Sequence, residues 1–150
     1  MKTREHLSAS GLFGVLRAGF EKIEDHRAIE MVKISLADTM MSAFAMFSLK
    51  DPSLLVFDKR RKTDSSNLKQ IYGVEKIPCD TQMRTGLDEV EPADIKVSYK
   101  DVFRELERGQ ELEKFVFMAG CYLLSLDGTG YFSSKKVHCE SCLEKKVMLA

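Results

Sequence analysis

No apolar run in this chain reaches the roughly 18 residues that a membrane-spanning helix requires. The N-terminus, MKTREHLSAS, carries no apolar signal core. Net charge is lacking too: 23 basic and 23 acidic residues cancel to +0. That excludes a uniformly basic coat for nucleic acid and leaves a local patch as the remaining option. There is no internal repeat and no low-complexity tract. Also missing are a nucleophile elbow, a phosphate loop of the form GxxxxGK(S/T), a dinucleotide fingerprint and an HExxH pair. His6, His26 and His138 have no acid or cysteine arranged for a triad that sequence can show. Four cysteines without a secretion signal read as reduced thiols rather than as a disulfide framework. The expectation is a cytoplasmic protein.

What is present is 150 residues at 44% hydrophobic, enough for one sizeable core or for two small units. Up to about Arg108 the pattern is helical with short breaks. GLFGVLRAGFEKI places Leu12, Phe13, Leu16, Phe20 and Ile23 at helical spacing. HRAIEMVKISLADTMMSAFAMFSL carries Ile29, Val32, Leu36, Met40, Ala43, Phe44 and Phe47 on one face, and Met40 to Leu49 is apolar nearly all round, which predicts a buried helix. In KDPSLLVFDKRRKTDSSNLKQIYG, Asp51 can cap a helix with Pro52 at its first position, ending near Lys62. Thr63 or Asp64 can cap the next helix, which stops at Gly73. Asp80 is the expected cap of a short helix that ends before Pro92, and a helix containing Val102, Phe103 and Leu106 ends near Gly109.

At Phe115 the period changes. FVFMAGCYLLSLD is continuously apolar and in no helical frame, as expected of a central strand buried on both faces. TGYFSS continues or turns it, and KKVHCESCLEKKVML can supply an antiparallel partner. The reading is therefore α+β: a helical region over residues 1–109, then the opening antiparallel strands of a sheet over 110–150. Only 23 residues follow Asp127, too few to finish a sheet covered on both faces. The expectation is a fragment.

Three constellations could carry chemistry. Asp127 closes the apolar run, and an ionised carboxylate there is costly without compensation. Gly128 and Gly130 permit close approach of a ligand, which suits a Mg²⁺-ligating acid. DGTG is equally what a hairpin corner would use. Second, residues 65–90 have the outline of a helix-turn-helix, with Leu68, Ile71, Val74, Met83 and Leu87 as shared core. Its second helix would present Thr81, Gln82 and Arg84, and Gln and Arg are side chains that read base edges. Upstream, Lys59, Arg60, Arg61 and Lys62, with Lys69, could meet phosphates. From Asp58 to Lys76 there are six basic and three acidic residues. Helix pairs of this kind are also common as plain structure, and basic runs are commonly solvated faces. Third, His138, Cys139 and Cys142 have zinc-ligand spacing but lack a fourth ligand nearby, so a thiol pair on a strand is the competing reading.

DTQMRTGLDEVEP (80–92), followed downstream by LLSLDGTGYFSSKKVHCESCLEKK (123–146), resembles bacterial insertion-sequence transposases with the DDE catalytic domain. NLKQIYGVEKIP (67–78) is similar to that family's N-terminal region, and the resemblance runs from about Ser35 to Lys146. It implies a ribonuclease-H-like catalytic domain, here incomplete, whose first strand carries the first catalytic acid at Asp127. It implies Mg²⁺ or Mn²⁺ held by three acids, and DNA as partner through the transposon's terminal repeats; a homo-oligomer stays open. The second and third acids lie farther downstream in the family, so the expectation is that this polypeptide alone neither holds the two metals nor cleaves DNA. The alternatives are a non-catalytic DNA-binding or regulatory module and a small zinc-dependent interaction protein.

Overall fold

The structure, a computed structural model, describes residues 5–28 and 32–124. Asp127, His138, Cys139 and Cys142, and the strands expected after Leu124, lie outside the described residues. The chain divides into two compact units, Met1–Lys114 and Phe115–Ala150. Among the described residues the protein is mostly helical, 65% helix in six helices, with one short two-stranded antiparallel sheet, an α+β composition in the coarse sense. None of these helices is long and apolar enough to cross a membrane.

The helices of the first unit are α1 (Ala9–Phe20), α2 (Leu36–Ser48), α3 (Leu54–Thr63), α4 (Ser65–Tyr72), α5 (Asp80–Leu87) and α6 (Pro92–Arg108). Their starts follow from capping chemistry. Ser8, Ser35 and Ser53 each accept a backbone N–H of the first turn through the side-chain oxygen. Pro92 opens α6 at a position where its missing N–H costs nothing. Gly73, with φ of 65°, ends α4 in the left-handed conformation that glycine adopts without strain.

Capping differs from the sequence expectation at two places. Ser53 rather than Asp51 caps α3, leaving Pro52 outside the helix, because the Asp51 carboxylate is engaged by Arg60. α5 is capped at Cys79, and Asp80 is its first residue.

α2 is the central element, packing against α1, α4 and α5, while α6 lies along α1. Leu16 and Phe20 from α1 meet Met40, Met41 and Ala45 of α2, with Phe57, Leu68, Val74 and Met83 completing the core. Burying a side chain of this size contributes about 1.5–3 kcal/mol. Phe13 stacks on Tyr72 at 5.2 Å, and Phe44 meets Phe13 edge-on at the same distance.

α2 is a buried helix, as expected, and its burial reaches farther toward its start than the apolar run does. Its first half is buried all round, from Leu36 to Ser42, whereas Phe47 in its second half is 72% exposed. The first half includes three polar residues, Asp38, Thr39 and Ser42, and each is satisfied. Thr39 donates to the Ser35 carbonyl at 3.0 Å and Ser42 to the Asp38 carbonyl at 2.7 Å. Among the described residues no buried side-chain nitrogen or oxygen lacks a partner.

In the second unit, β1 (Val116–Met118) pairs antiparallel with β2 (Cys121–Tyr122). The run expected to form one straight buried strand instead folds back on itself. Ala119 and Gly120 both have positive φ, 51° and 77°, as a two-residue hairpin turn of the primed type demands. Phe115, Phe117, Met118, Leu123 and Leu124 are exposed rather than buried on two faces.

Candidate nucleic-acid interface

The segment expected to form a helix-turn-helix consists of α4, a seven-residue connection over 73–79, and α5. Leu68, Val74 and Met83 are each 1% exposed, as a shared core requires, but Ile71 faces solvent and Leu87 is only partly buried. α4 and α5 are positioned chiefly through α2 and α3, against which both pack. The connection is longer than the three to four residues of a tight helical turn, so something else must fix it.

That something is Asp38. Its Oδ1 accepts from the Glu75 backbone N–H at 3.1 Å and its Oδ2 from the Lys76 N–H at 2.9 Å. Arg17 Nη1 donates to the same Oδ1 at 2.9 Å and to the Gly73 carbonyl at 2.8 Å. The Asp38 side chain is 4% exposed, and three donors offset the desolvation of its charge. α5 also sits close on α2: a Cβ at Gly86 would lie 2.9 Å from Thr39 Cγ2, so the approach needs glycine there. Ser35 followed by Asp38 at the third helical position is a helix-start signature in the sequence. It flags the carboxylate without revealing that it reaches residues 75 and 76.

Along α5, Thr81, Gln82 and Arg84 are all exposed. Gln82 Oε1 accepts from the Cys79 backbone N–H at 3.0 Å, which leaves its amide nitrogen as the free group. Arg84 Nε donates to Asp80 at 2.8 Å, an exposed pair one turn apart worth at most a few tenths of a kcal/mol. Thr81, Gln82 and Thr85 line a groove of about 430 Å³ shared with His26, Arg27 and Lys33 from the segment before α2. Arg84 is not among the groove's lining residues.

The basic run is less free than its sequence suggests. Arg60 makes two hydrogen bonds of 2.7 Å to the two carboxylate oxygens of Asp51, a side chain only 4% exposed. Arg61 and Lys62 share Asp58, at 2.6 and 3.1 Å, and these two cations hold its carboxyl below the usual carboxylate range, Arg61 foremost. Lys59 and Lys69 are exposed and make no ion pair among the described residues. The structure thus keeps the run on α3, next to α4 and α5, but pairs three of its four members internally.

Among the described residues no group of three or more His, Cys, Asp or Glu is arranged to hold a metal ion. No family model, no curated protein and no solved structure matches this chain.

Proposed function

We propose that this chain carries the DNA-binding helical region of a DDE-type transposase together with the first acid of its catalytic unit, Asp127. What supports the reading is one conjunction. DTQMRTGLDEVEP falls on a helix whose polar face, Thr81, Gln82 and Arg84, is exposed, and LLSLDGTGYFSS follows it downstream. The helix is held by a buried carboxylate and a glycine contact, so its exposed side chains stand on a rigid support. Base-edge readout would fall to Arg84 and the free amide of Gln82, and phosphate contact to Lys59, Lys69 and the partly paired run between Arg60 and Lys62.

A Mg²⁺ or Mn²⁺ ion bound in such a unit would supply Lewis acidity at a phosphodiester. Asp127 would supply carboxylate oxygens to such an ion. One carboxylate does not hold two divalent ions at catalytic spacing, so Asp127 by itself would bind no such pair and would not cut DNA. The test is incubation with duplexes taken from the DNA flanking its own reading frame, with Mg²⁺ or Mn²⁺. Salt-sensitive retention without nicking is expected. Nicked product overturns the statement about cleavage, and affinity that is flat with salt overturns the DNA-binding reading.

A second reading, a non-catalytic DNA-binding module, is favoured by one observation: α5 and the basic run both belong to the compact unit Met1–Lys114, which does not contain Asp127. Mg²⁺ or Mn²⁺ binding separates the two: an ion held by the parent and lost in Asp127→Asn supports the transposase, and none held by either supports the module.

A further inference from the structure

We infer that the segment before α2, through Lys33 and His26, is a second arm of the DNA interface and holds backbone phosphate in the groove beside α5. The inference rests on the DNA-binding reading above and changes where the phosphates go.

The groove brings together groups that sequence separates by about fifty residues. From α5 come Thr81, Gln82 and Thr85, and from the other side come His26, Arg27 and Lys33. A phosphodiester accepts hydrogen bonds and donates none, so the groove must be judged by its free donors. Arg27 contributes little: its Nε and Nη2 bind Asp25 at 2.8 and 2.6 Å, and Nη2 also donates to the Ile34 carbonyl. The Thr85 hydroxyl is committed to the Thr81 carbonyl at 3.0 Å. Lys33 is exposed and has no ion pair among the described residues, so its ammonium is the free cation of the groove. His26, the Thr81 hydroxyl and the Gln82 amide nitrogen add further donors around it, since the Gln82 oxygen is already engaged by the Cys79 N–H.

The contrast with α3 gives the inference its force. Using Arg60 on a phosphate would strip a buried Asp51 of its two hydrogen bonds, and using Arg61 or Lys62 draws on the acid they share. Lys33 carries no such debt. One acid opposes the arrangement: Glu89 lines the same groove. A polyanion seated there is repelled by it, and that supplies a test of opposite sign.

The experiment uses the full chain and fluorescence anisotropy on a duplex from the flanking DNA, with affinity measured between 50 and 200 mM salt. Lys33→Ala is expected to weaken binding several-fold and to reduce the slope of log affinity against log salt by about 0.9, the loss of one phosphate contact. Glu89→Gln is expected to tighten binding several-fold. Both positions are exposed, and circular dichroism confirms that each variant is folded. An unchanged slope in Lys33→Ala with unchanged affinity in Glu89→Gln, while the parent protein binds with a clear salt dependence, overturns the groove assignment and leaves the DNA reading standing. A parent protein whose affinity does not vary with salt removes both.

Discussion

The guanidinium of Arg17 lies 2.9 Å from the carboxylate of Asp38, joining α1 to α2, and both side chains reach on to the connection after α4. Three elements distant in sequence are thereby tied at one buried point. Asp38→Ala should cost about 3–5 kcal/mol of folding stability, because it removes the buried half of a charge pair and leaves the Glu75 and Lys76 N–H groups without their acceptor. Arg17→Met should cost less, since Asp38 keeps its two backbone hydrogen bonds. Urea denaturation of both variants measures the difference, and equal losses would mean that the bonds to Glu75 and Lys76 carry no weight.

α1 and α6 approach closely at Gly19, where a Cβ would sit 2.6 Å from both Ser98 Cβ and Ser98 Oγ. Gly19→Ala should destabilise by about 1–3 kcal/mol through overpacking. Adding Ser98→Gly removes the atoms it would strike. The double variant should then be less destabilised than the sum of the two single changes, and simple additivity in thermal melts would contradict the contact.

Acid should weaken the fold through Asp25 and Asp58. Hydrogen bonding from Arg27 holds the Asp25 carboxyl below its usual range, and Arg61 with Lys62 does the same to Asp58. A carboxyl whose folded value is depressed stabilises the protein above its unfolded value, about pH 4. It loses that contribution as pH falls through the folded value. The urea midpoint should therefore drop as pH is lowered from about 4 toward 2. Arg27→Gln should make that decline shallower, whatever it does to the midpoint at neutral pH. A decline as steep as the parent's would show that Asp25 does not carry it.

Arg60 and Lys59 should part company. Arg60→Ala leaves the buried Asp51 carboxylate unpaired and should cost about 3 kcal/mol or more of stability. Lys59→Ala, on an exposed side chain without an ion pair, should stay within about 0.5 kcal/mol. Calorimetric melting of the two variants decides it, and similar melting temperatures would deny Arg60 its structural role.

Arg84 should behave in the reverse sense. Its pair with Asp80 is exposed, so Arg84→Ala should barely move the melting temperature. If α5 reads base edges, the same change should weaken binding to the flanking-DNA duplex by about 1–3 kcal/mol and leave binding to a scrambled duplex almost unaffected. An equal loss on both duplexes would make Arg84 a phosphate contact.

The helices were legible because their signals are local. Leu16 and Phe20 keep helical spacing, Gly73 stops α4, and Pro92 lies just past the end of α5. What escaped was the destination of side chains. Asp51 beside Pro52 has the look of a cap, but its partner is Arg60, nine residues on, a closure that no local rule specifies. Phe47, Ile71 and Phe103 continue apolar stripes and yet face solvent, since a stripe marks a face without marking how far along it a neighbour extends. The hairpin escaped because Ala-Gly is a weaker turn signal than Asn-Gly or Asp-Gly. The groove beside α5 was invisible for the simplest reason: His26 and Lys33 meet Thr81 and Gln82 only once α2 has been laid between α1 and α5.

The polar first half of α2 has a consequence for anyone who would transplant this bundle. A helix that is greasy at its centre can be swapped for another of equal bulk. One that hides a hydroxyl, a second hydroxyl and an anion, each aimed at a particular oxygen or N–H, travels only together with the pieces that answer it. Residues 35–42, Arg17 and the strip from Gly73 to Lys76 form an indivisible block, and a chimera whose crossover splits it should emerge as inclusion bodies.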